Sequence, residues 1–180
     1  GGPQAAICFE ELGHMGADTF IQVGSCGTLQ DDVPCGAVII PTGVYRGGAT
    51  GNQYLPPPFP AATHFQVLTA LIEAAKRLDI QVYVGIGWTG DAFYALPEPQ
   101  LVAKLKEARV LSLDMETDTL FIVSAFRGWR AGSILANDGT SREIKPAWGE
   151  ELFRRGEEQA IHIALEAMKN IAQADAQENL

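Results

Sequence analysis

Cysteine is scarce in this chain: three residues in 180, Cys8, Cys26 and Cys35. The number is odd, the spacing is wide and no ligand partner stands at zinc spacing. Neither a disulfide framework nor a metal site therefore organises the sequence, and the thiols read as reduced, cytoplasmic ones. Basic residues are also few, 13 Lys and Arg against 22 Asp and Glu, for a net charge of −9. A field of that sign repels phosphodiester backbones, so nucleic acid is not an expected partner. No apolar run approaches the ~18–20 residues of a membrane-spanning helix, which removes a membrane partner. The opening Gly1-Gly2-Pro3 lacks the charged and apolar regions of a signal peptide. There is no internal repeat and no low-complexity tract. What remains is a globular composition, 47% hydrophobic with 19 Gly and 10 Pro. A chain of this length buries about 70% of its unfolded surface, enough for one core. The expectation is a single soluble acidic domain over residues 1–180.

Short apolar runs alternate with helical patterns, and Gly or Pro marks the changes. Residues 4–12 read as a helix, with Ala5, Ala6, Phe9 and Leu12 at intervals of three and four and Pro3 suited to the first turn. Residues 19–23 read as a strand ending at Gly24, and 37–40 as a strand closed by Pro41. Residues 43–60 are rich in Gly and Pro and fit neither period, so they read as a long excursion loop. Residues 64–78 are amphipathic, with Phe65, Leu68, Leu71, Ile72 and Ala75 on one face. Strands follow over 81–88 and 131–136, with a strongly apolar helix over 115–126 between them. A long helix closes the chain over 150–172, its inner side carrying Phe153, Ile161, Leu165 and Met168, and the polar tail beyond it frays. This alternation predicts an α/β sheet covered on both faces, with ligands gathering at strand exits.

Three exits carry chemistry. Gly24-Ser25-Cys26-Gly27 offers close backbone approach and a hydroxyl able to hold an oxyanion, or it is a tight turn that contains a serine. Asp114-Met115-Glu116 puts carboxylates before a helix. Either they accept from vicinal hydroxyls of a sugar or, as is favoured for Asp114, they cap the helix. Asn137-Asp138 follows a buried strand, where partial desolvation makes Asp138 a candidate proton donor; an Asx turn explains the same residues and is the safer reading. Phe93-Tyr94 offers an aromatic wall for a flat heterocycle, or ordinary core. His14, His64 and His162 share no spacing and receive no role.

In this order these segments resemble the nucleoside phosphorylase superfamily of the uridine phosphorylase and trimer-built purine nucleoside phosphorylase type. The matching stretches are Gly2-Pro3-Gln4-Ala5-Ala6, Phe20-Ile21-Gln22-Val23-Gly24-Ser25-Cys26-Gly27, Asp91-Ala92-Phe93-Tyr94, Asp114-Met115-Glu116 with its apolar helix, and Ala131-Gly132-Ser133-Ile134-Leu135. Residues 47–54 with Leu55-Pro56-Pro57 are most similar to the uridine phosphorylase branch. The resemblance implies a three-layer αβα fold with a mixed central sheet. Family members also carry an N-terminal piece with a phosphate-binding glycine loop and arginines. No such piece is seen here, and Gly-Gly opens a helix with no strand before it, so the chain is expected to be N-terminally truncated.

The implied activity is that of a pentosyltransferase in nucleoside salvage: phosphorolysis of the bond between ribose and base, with inorganic phosphate as co-substrate and no metal or organic cofactor. Carried over by position, Ser25 with the backbone of Gly24, Cys26 and Gly27 holds phosphate. Asp114, Met115 and Glu116 surround the ribose, Phe93 stacks near the base with Tyr94 beside it, and Asp138 is the catalytic acid. Two positions depart from the family. Gln22 stands where phosphorolytic relatives place a phosphate-binding arginine, for which Arg46 or Arg142 is a candidate substitute. Ala95-Leu96-Pro97-Glu98-Pro99 stands where uridine phosphorylases read uracil with Gln and Arg. A nucleosidase using water and an inactive nucleoside-binding relative are therefore the alternatives. Relatives complete their sites across subunits, so a dimer-based homo-oligomer, up to a hexamer, is expected. The whole assignment requires Ser25, Glu116 and Asp138 to line one cavity.

Overall fold

The computed structural model describes residues 1–95, 98–140, 143–144 and 146–178. Its elements run α1 (Gly2–His14), β1 (Thr19–Thr28), β2 (Val38–Gly47), β3 (Ala61–Ala62), α2 (Phe65–Arg77), β4 (Val82–Gly90), α3 (Pro99–Glu107), β5 (Ser112–Asp114), α4 (Thr117–Arg127), β6 (Arg130–Thr140), β7 (Glu143–Ile144) and α5 (Glu150–Glu178). The seven strands form one sheet in the order β3-β2-β4-β5-β1-β6-β7. It is mixed: β1–β6, β2–β4 and β4–β5 are parallel, whereas β1–β5, β2–β3 and β6–β7 are antiparallel. A further antiparallel contact pairs Val38 with Ala136 and Ile39 with Leu135, which closes β2-β4-β5-β1-β6 into a ring.

Helices cover both faces, as an α/β alternation demands. On one side α2 and α5 pack Leu71, Ala74, Ala160 and Ile163 onto Val38, Ile40 and Ile134. On the other, Leu120 to Ile122 of α4 meet Phe20, Val44 and Ala131, with Phe9 of α1 beside them. The alternate residues Ile39 and Leu135 point the opposite way from Val38, Ile40 and Ile134, and build a separate cluster with Cys26 and Leu111. The residue pattern predicts the sheet covered on both faces, and the three-layer αβα architecture with a mixed sheet is what the resemblance implies.

Several boundaries differ. β1 does not stop at Gly24 but continues to Thr28, because Ser25 and Cys26 lie in register opposite Ala136 and Asn137 of β6. Likewise β6 runs past Ala136 to Thr140, and β2 continues through Pro41 to Gly47. The β2 register shifts between Pro41 and Gly43, so the proline, which has no N–H to give, sits at a bulge where no ladder bond is lost. Only residues 48–60 of the expected excursion are irregular, and Thr50–Gln53 among them form a 3-10 turn. Met115 and Glu116 precede α4 instead of opening it.

Two helix faces are also rotated from expectation. In α2 the buried stripe is Val67, Ala70, Leu71, Ala74 and Ala75, while Phe65 is 77% exposed. In α5 the inner side carries Phe153, Ala160, Ile163, Ala164, Ala167 and Ile171; Ile161 and Leu165 face outward. Alanines are buried there because α2 and α5 pack closely on each other, and larger residues would hold them apart. The helix continues to Glu178 with no fraying at Ala172. α3, which opens on Pro99, has no counterpart among the elements read from the sequence.

α5 meets the connection before β2 backbone to backbone. A Cβ on Gly156 would lie 2.4 Å from the Gly36 carbonyl oxygen, and Gly36 itself has φ +81°. Gly→Ala inside a helix ordinarily gains about 0.8–1 kcal/mol, but overpacking against rigid backbone costs about 1–3 kcal/mol, so Gly156→Ala should lose on the order of 1–2 kcal/mol net. Urea denaturation checks this through a lower midpoint at unchanged slope. A midpoint at or above that of the parent would show that α5 can move aside.

Candidate functional site

The site is built where β1, β4, β5 and β6 end. Between β1 and β6 the ladder pairs Cys26 with Asn137 and then Gly27 with Gly139, leaving Asp138 as an extra residue in β6. A bulge of this kind redirects one side chain out of the pleat, and here that side chain is Asp138. Asn137 fixes the bulge from below. It is fully buried, its amide donates to the carbonyls of Val33 (3.2 Å) and Pro34 (2.9 Å), and its Oδ1 accepts from the Gly139 N–H at 3.1 Å. The Asx hydrogen bond read from the sequence thus exists, but inside a strand and not in a turn.

Asp114 ends β5 and ties four elements together. Its Oδ1 accepts from Thr89 Oγ1 of β4 at 2.7 Å. Its Oδ2 accepts from Gln22 Nε2 of β1 (3.4 Å), from the Glu116 N–H (3.3 Å), from the Thr117 N–H (2.8 Å) and from Thr117 Oγ1. Thr117 Oγ1 also approaches Gln22 Oε1 at 3.2 Å and Ser133 Oγ of β6 at 3.3 Å. Burial pushes the Asp114 carboxyl above the usual carboxylate range, against the downward pull of the Thr117, Thr89 and Glu116 donors. Glu116, and not Asp114, occupies the N-cap position of α4; Asp114 stands two residues before it, and by accepting from the Glu116 and Thr117 N–H groups it sets the direction of Met115 and Glu116.

The same corner fastens residues 48–60. The Gly48 N–H donates to Asp118 Oδ2 at 3.2 Å, and the Ala49 N–H donates to Asp91 Oδ2 at 2.8 Å. Arg46 reaches forward from β2, donating to the carbonyls of Leu55, Pro56 and Phe59 at 2.8–2.9 Å and to Asn52 Oδ1 at 2.8 Å. Its guanidinium therefore organises the loop, at the edge of the same corner. Arg142, the other candidate cation, lies outside the described residues, as do Leu96 and Pro97 of the segment after Tyr94.

These elements enclose a cavity of about 720 Å³. Ser25, Cys26 and Gly27 line it from β1, Met115 and Glu116 from the β5–α4 junction, Asp138 from the β6 bulge, and Phe93 from the exit of β4. Ser25, Glu116 and Asp138 are therefore brought together, as the sequence reading requires. Asp114 lines the cavity as well, through the part of its surface that the network leaves open. Three candidates fall outside the lining. Gln22 is turned to Asp114 and Thr117, Gly24 lies one residue short, and Tyr94 is 92% exposed, packed edge-on against Phe93 with ring centroids 5.0 Å apart. Burial, with the charges of Asp114 and Asp138 adding to it, pushes the Cys26 thiol well above its ordinary value, so it is a neutral wall and no nucleophile. Trp88 and Leu101 also line the cavity, and residue type alone marks both as core.

The phosphorylase superfamily model matches residues 1–172 of this sequence. The chain belongs to that superfamily. It is 36% identical to the uridine phosphorylase of Thermococcus kodakarensis over 190 residues, covering 97% of this chain and 65% of the relative. Against the uridine phosphorylase of Treponema pallidum the identity is 35%, with 98% and 72% covered. A guanosine phosphorylase of Halorubrum lacusprofundi is 36% identical over 139 residues, 77% of this chain and 57% of its own length. The crystal structure of a uridine phosphorylase from Vibrio fischeri superposes with a TM-score of 0.87 at 31% identity, covering 94% of this chain and 71% of that one. The chain thus spans 57–72% of the length of these phosphorylases, and 65% of the first.

Asp118 offers a test of the electrostatics. It is fully buried, and desolvation raises its carboxyl; the Thr119 and Gly48 donors pull it down, and the Asp114 charge adds to the rise. A carboxyl raised in the native state binds its proton more tightly folded than unfolded, so its ionisation costs stability as pH climbs through that window. Asp118→Asn removes this cost. The stability of the variant relative to the parent should shift in its favour between about pH 4 and pH 7, the range above the unperturbed carboxylate value. Urea denaturation across that range checks it; a difference independent of pH contradicts it.

Proposed function

We propose that the protein cleaves the N-glycosidic bond of a ribonucleoside by phosphorolysis, giving free base and ribose 1-phosphate. The observation that carries this reading is the convergence of Ser25, Glu116 and Asp138, from three separate strand ends, on one cavity large enough for a nucleoside. Cleavage of this bond passes through an oxocarbenium-like transition state, which sets three tasks: hold the nucleophile beneath the sugar, fix its hydroxyls, and neutralise the departing base. Ser25 and the β1 backbone serve the first task. Glu116, an acceptor with no donor to offer, serves the second, its direction set by Asp114. Asp138 serves the third from its bulge, and Phe93 lies against the flat ring. Phosphate is then a co-substrate, and no metal or organic cofactor enters the reaction.

One observation favours a second reading, hydrolysis by water. The described residues that line the cavity include four carboxylates, Asp91, Asp114, Glu116 and Asp138, and one cation, Arg46, which is committed to the loop carbonyls. A phosphate dianion meets repulsion from such a lining unless further cations are brought to it, whereas water does not. A homo-oligomer is part of the first reading, because a neighbouring copy is one source of those cations.

Turnover of uridine, inosine and adenosine with and without phosphate separates the readings. Phosphate-dependent release of base supports phosphorolysis, phosphate-independent release supports the hydrolase, and nucleoside binding with no release supports an inactive relative. Asp138→Asn should lower purine-nucleoside turnover by ~10²–10⁴-fold, the ordinary contribution of a general acid; an unchanged rate removes Asp138 from the mechanism. Glu116→Gln should lower kcat/KM by ~10–100-fold, corresponding to about 1.5–3 kcal/mol for a hydrogen bond to a charged group. An equal loss with the 2′,3′-dideoxy substrate would show that Glu116 does not act through the sugar hydroxyls.

A further inference from the structure

The cavity is chemically divided. Carboxylates crowd the β5–α4 junction and the β6 bulge, while Trp88, Ala92, Phe93, Ala95, Leu101 and Leu113 form an apolar lining contributed by β4, its exit, α3 and β5, interrupted by Asp91, which is bonded to the Ala49 N–H. Trp88 is the largest of the residues in that apolar lining. It is 7% exposed, and Leu29, Leu105, Val110 and Leu113 pack with it, so it is backed by core and has nowhere to retreat. In the sheet it stands between Tyr45 of β2 and Leu113 of β5. Its indole Nε1 has no hydrogen-bond partner among the described residues, and Gly47 lies over that edge, where a Cβ would come within 2.6 Å of the nitrogen. Native proteins rarely bury a donor unpaired, because the hydrogen bond it gave up to water is not replaced. Phenylalanine would fill the core at this position without that cost. The fold therefore does not account for an indole here, and the cavity is the remaining surface it touches.

We propose that Trp88 is a specificity-determining residue that sets the depth of the subsite receiving the nucleobase. The proposal rests on the nucleoside-cleaving reading above. The physical basis is steric: a rigid bicyclic side chain at the end of an apolar slot limits how large a planar ring can enter, and one ring's worth of space separates a pyrimidine from a purine. The side chains of Ala95 and Leu101 carry no polar group to read a base edge, so at this end of the slot shape discriminates, while Asp138 lies toward the other.

The test is Trp88→Phe, which shortens the side chain and removes only a donor that bonds to nothing. Two ratios are measured in parent and variant: inosine to uridine in kcat/KM, and hypoxanthine to uracil in calorimetric affinity. Both should rise in the variant by about tenfold, the scale on which pocket size discriminates apolar groups. Denaturation confirms that the variant is folded; if it is not, Trp88→Met carries the same comparison. A merely structural role would lower both substrates alike and leave the ratios at their parent values, which overturns the proposal. The base-binding arm does not depend on catalysis. If the parent binds bases and the ratio is unmoved, the role of Trp88 alone fails. If the parent binds neither base and cleaves neither nucleoside, the nucleoside reading fails and Trp88's role falls with it.

Discussion

One half-buried carboxylate holds the site together. Asp114 receives donors from β1, from β4 and from the first turn of α4, and it is itself the last residue of β5. A carboxylate in such surroundings is tolerated only when its oxygens are satisfied, since desolvation alone would drive it to bind a proton. The consequence is geometric. Because the N–H groups of Glu116 and Thr117 must meet Asp114, the two residues that face the cavity, Met115 and Glu116, have little freedom in where they stand. Gln22 belongs to this scaffold. Its amide nitrogen donates to Asp114, and its amide oxygen lies against the Thr117 hydroxyl. The residue that looks like a lost phosphate ligand is thus employed as a strut.

The sheet supplies the second constraint. Ring closure through the β2–β6 pairing and the bulge at Asp138 lie within a few residues of one another on β6, with Leu135 and Ala136 in one and Asn137 to Gly139 in the other. Closing β2-β4-β5-β1-β6 brings the strand ends into one arc, and the bulge turns a carboxylate into the space they surround. Asn137 links the two by bonding to the connection that leads into β2. Core packing and site geometry are therefore set by the same stretch of chain.

This explains which features could be read from residues alone. The starts of β1, β4 and β6 are legible, because β-branched and aromatic runs at Phe20, Ile21, Val82 and Ile134 have few alternatives to a buried strand. Their ends are not. Gly24 to Gly27 and Asn137 to Gly139 have the composition of turns, and they are strands only because each supplies the other's partner across 110 residues or so of sequence, a tertiary override that no local pattern contains. The helix phases failed for a related reason. Leu165 and Phe65 are more hydrophobic than Ala164 and Ala70, but close packing between α2 and α5 selects small residues for the inside. The site fared in the same way. Ser25, Glu116 and Asp138 were legible as candidates through their order along the chain; Trp88 was not, since an isolated tryptophan in a strand gives no sign of whether it faces core or cavity. A sharper signal was present for α3, where Pro99 precedes Leu101, Val102 and Leu105 at helical spacing.

The fastening of residues 48–60 bears on how such a site would work. Loops of this length beside a cavity are often lids, and a lid needs few strong contacts so that opening is cheap. Here the Gly48 and Ala49 N–H groups end on two carboxylates from different elements, and the Arg46 guanidinium gathers the far side of the loop through its carbonyls. Releasing the loop would leave a buried acid, Asp118, without its backbone donor, which is the costlier kind of loss. The irregular segment is accordingly tied to the sheet on both of its sides. None of residues 48–60 is among the described residues that line the cavity, so the groups placed there come from the strand ends, which suits a reaction whose transition state is stabilised by positioned groups.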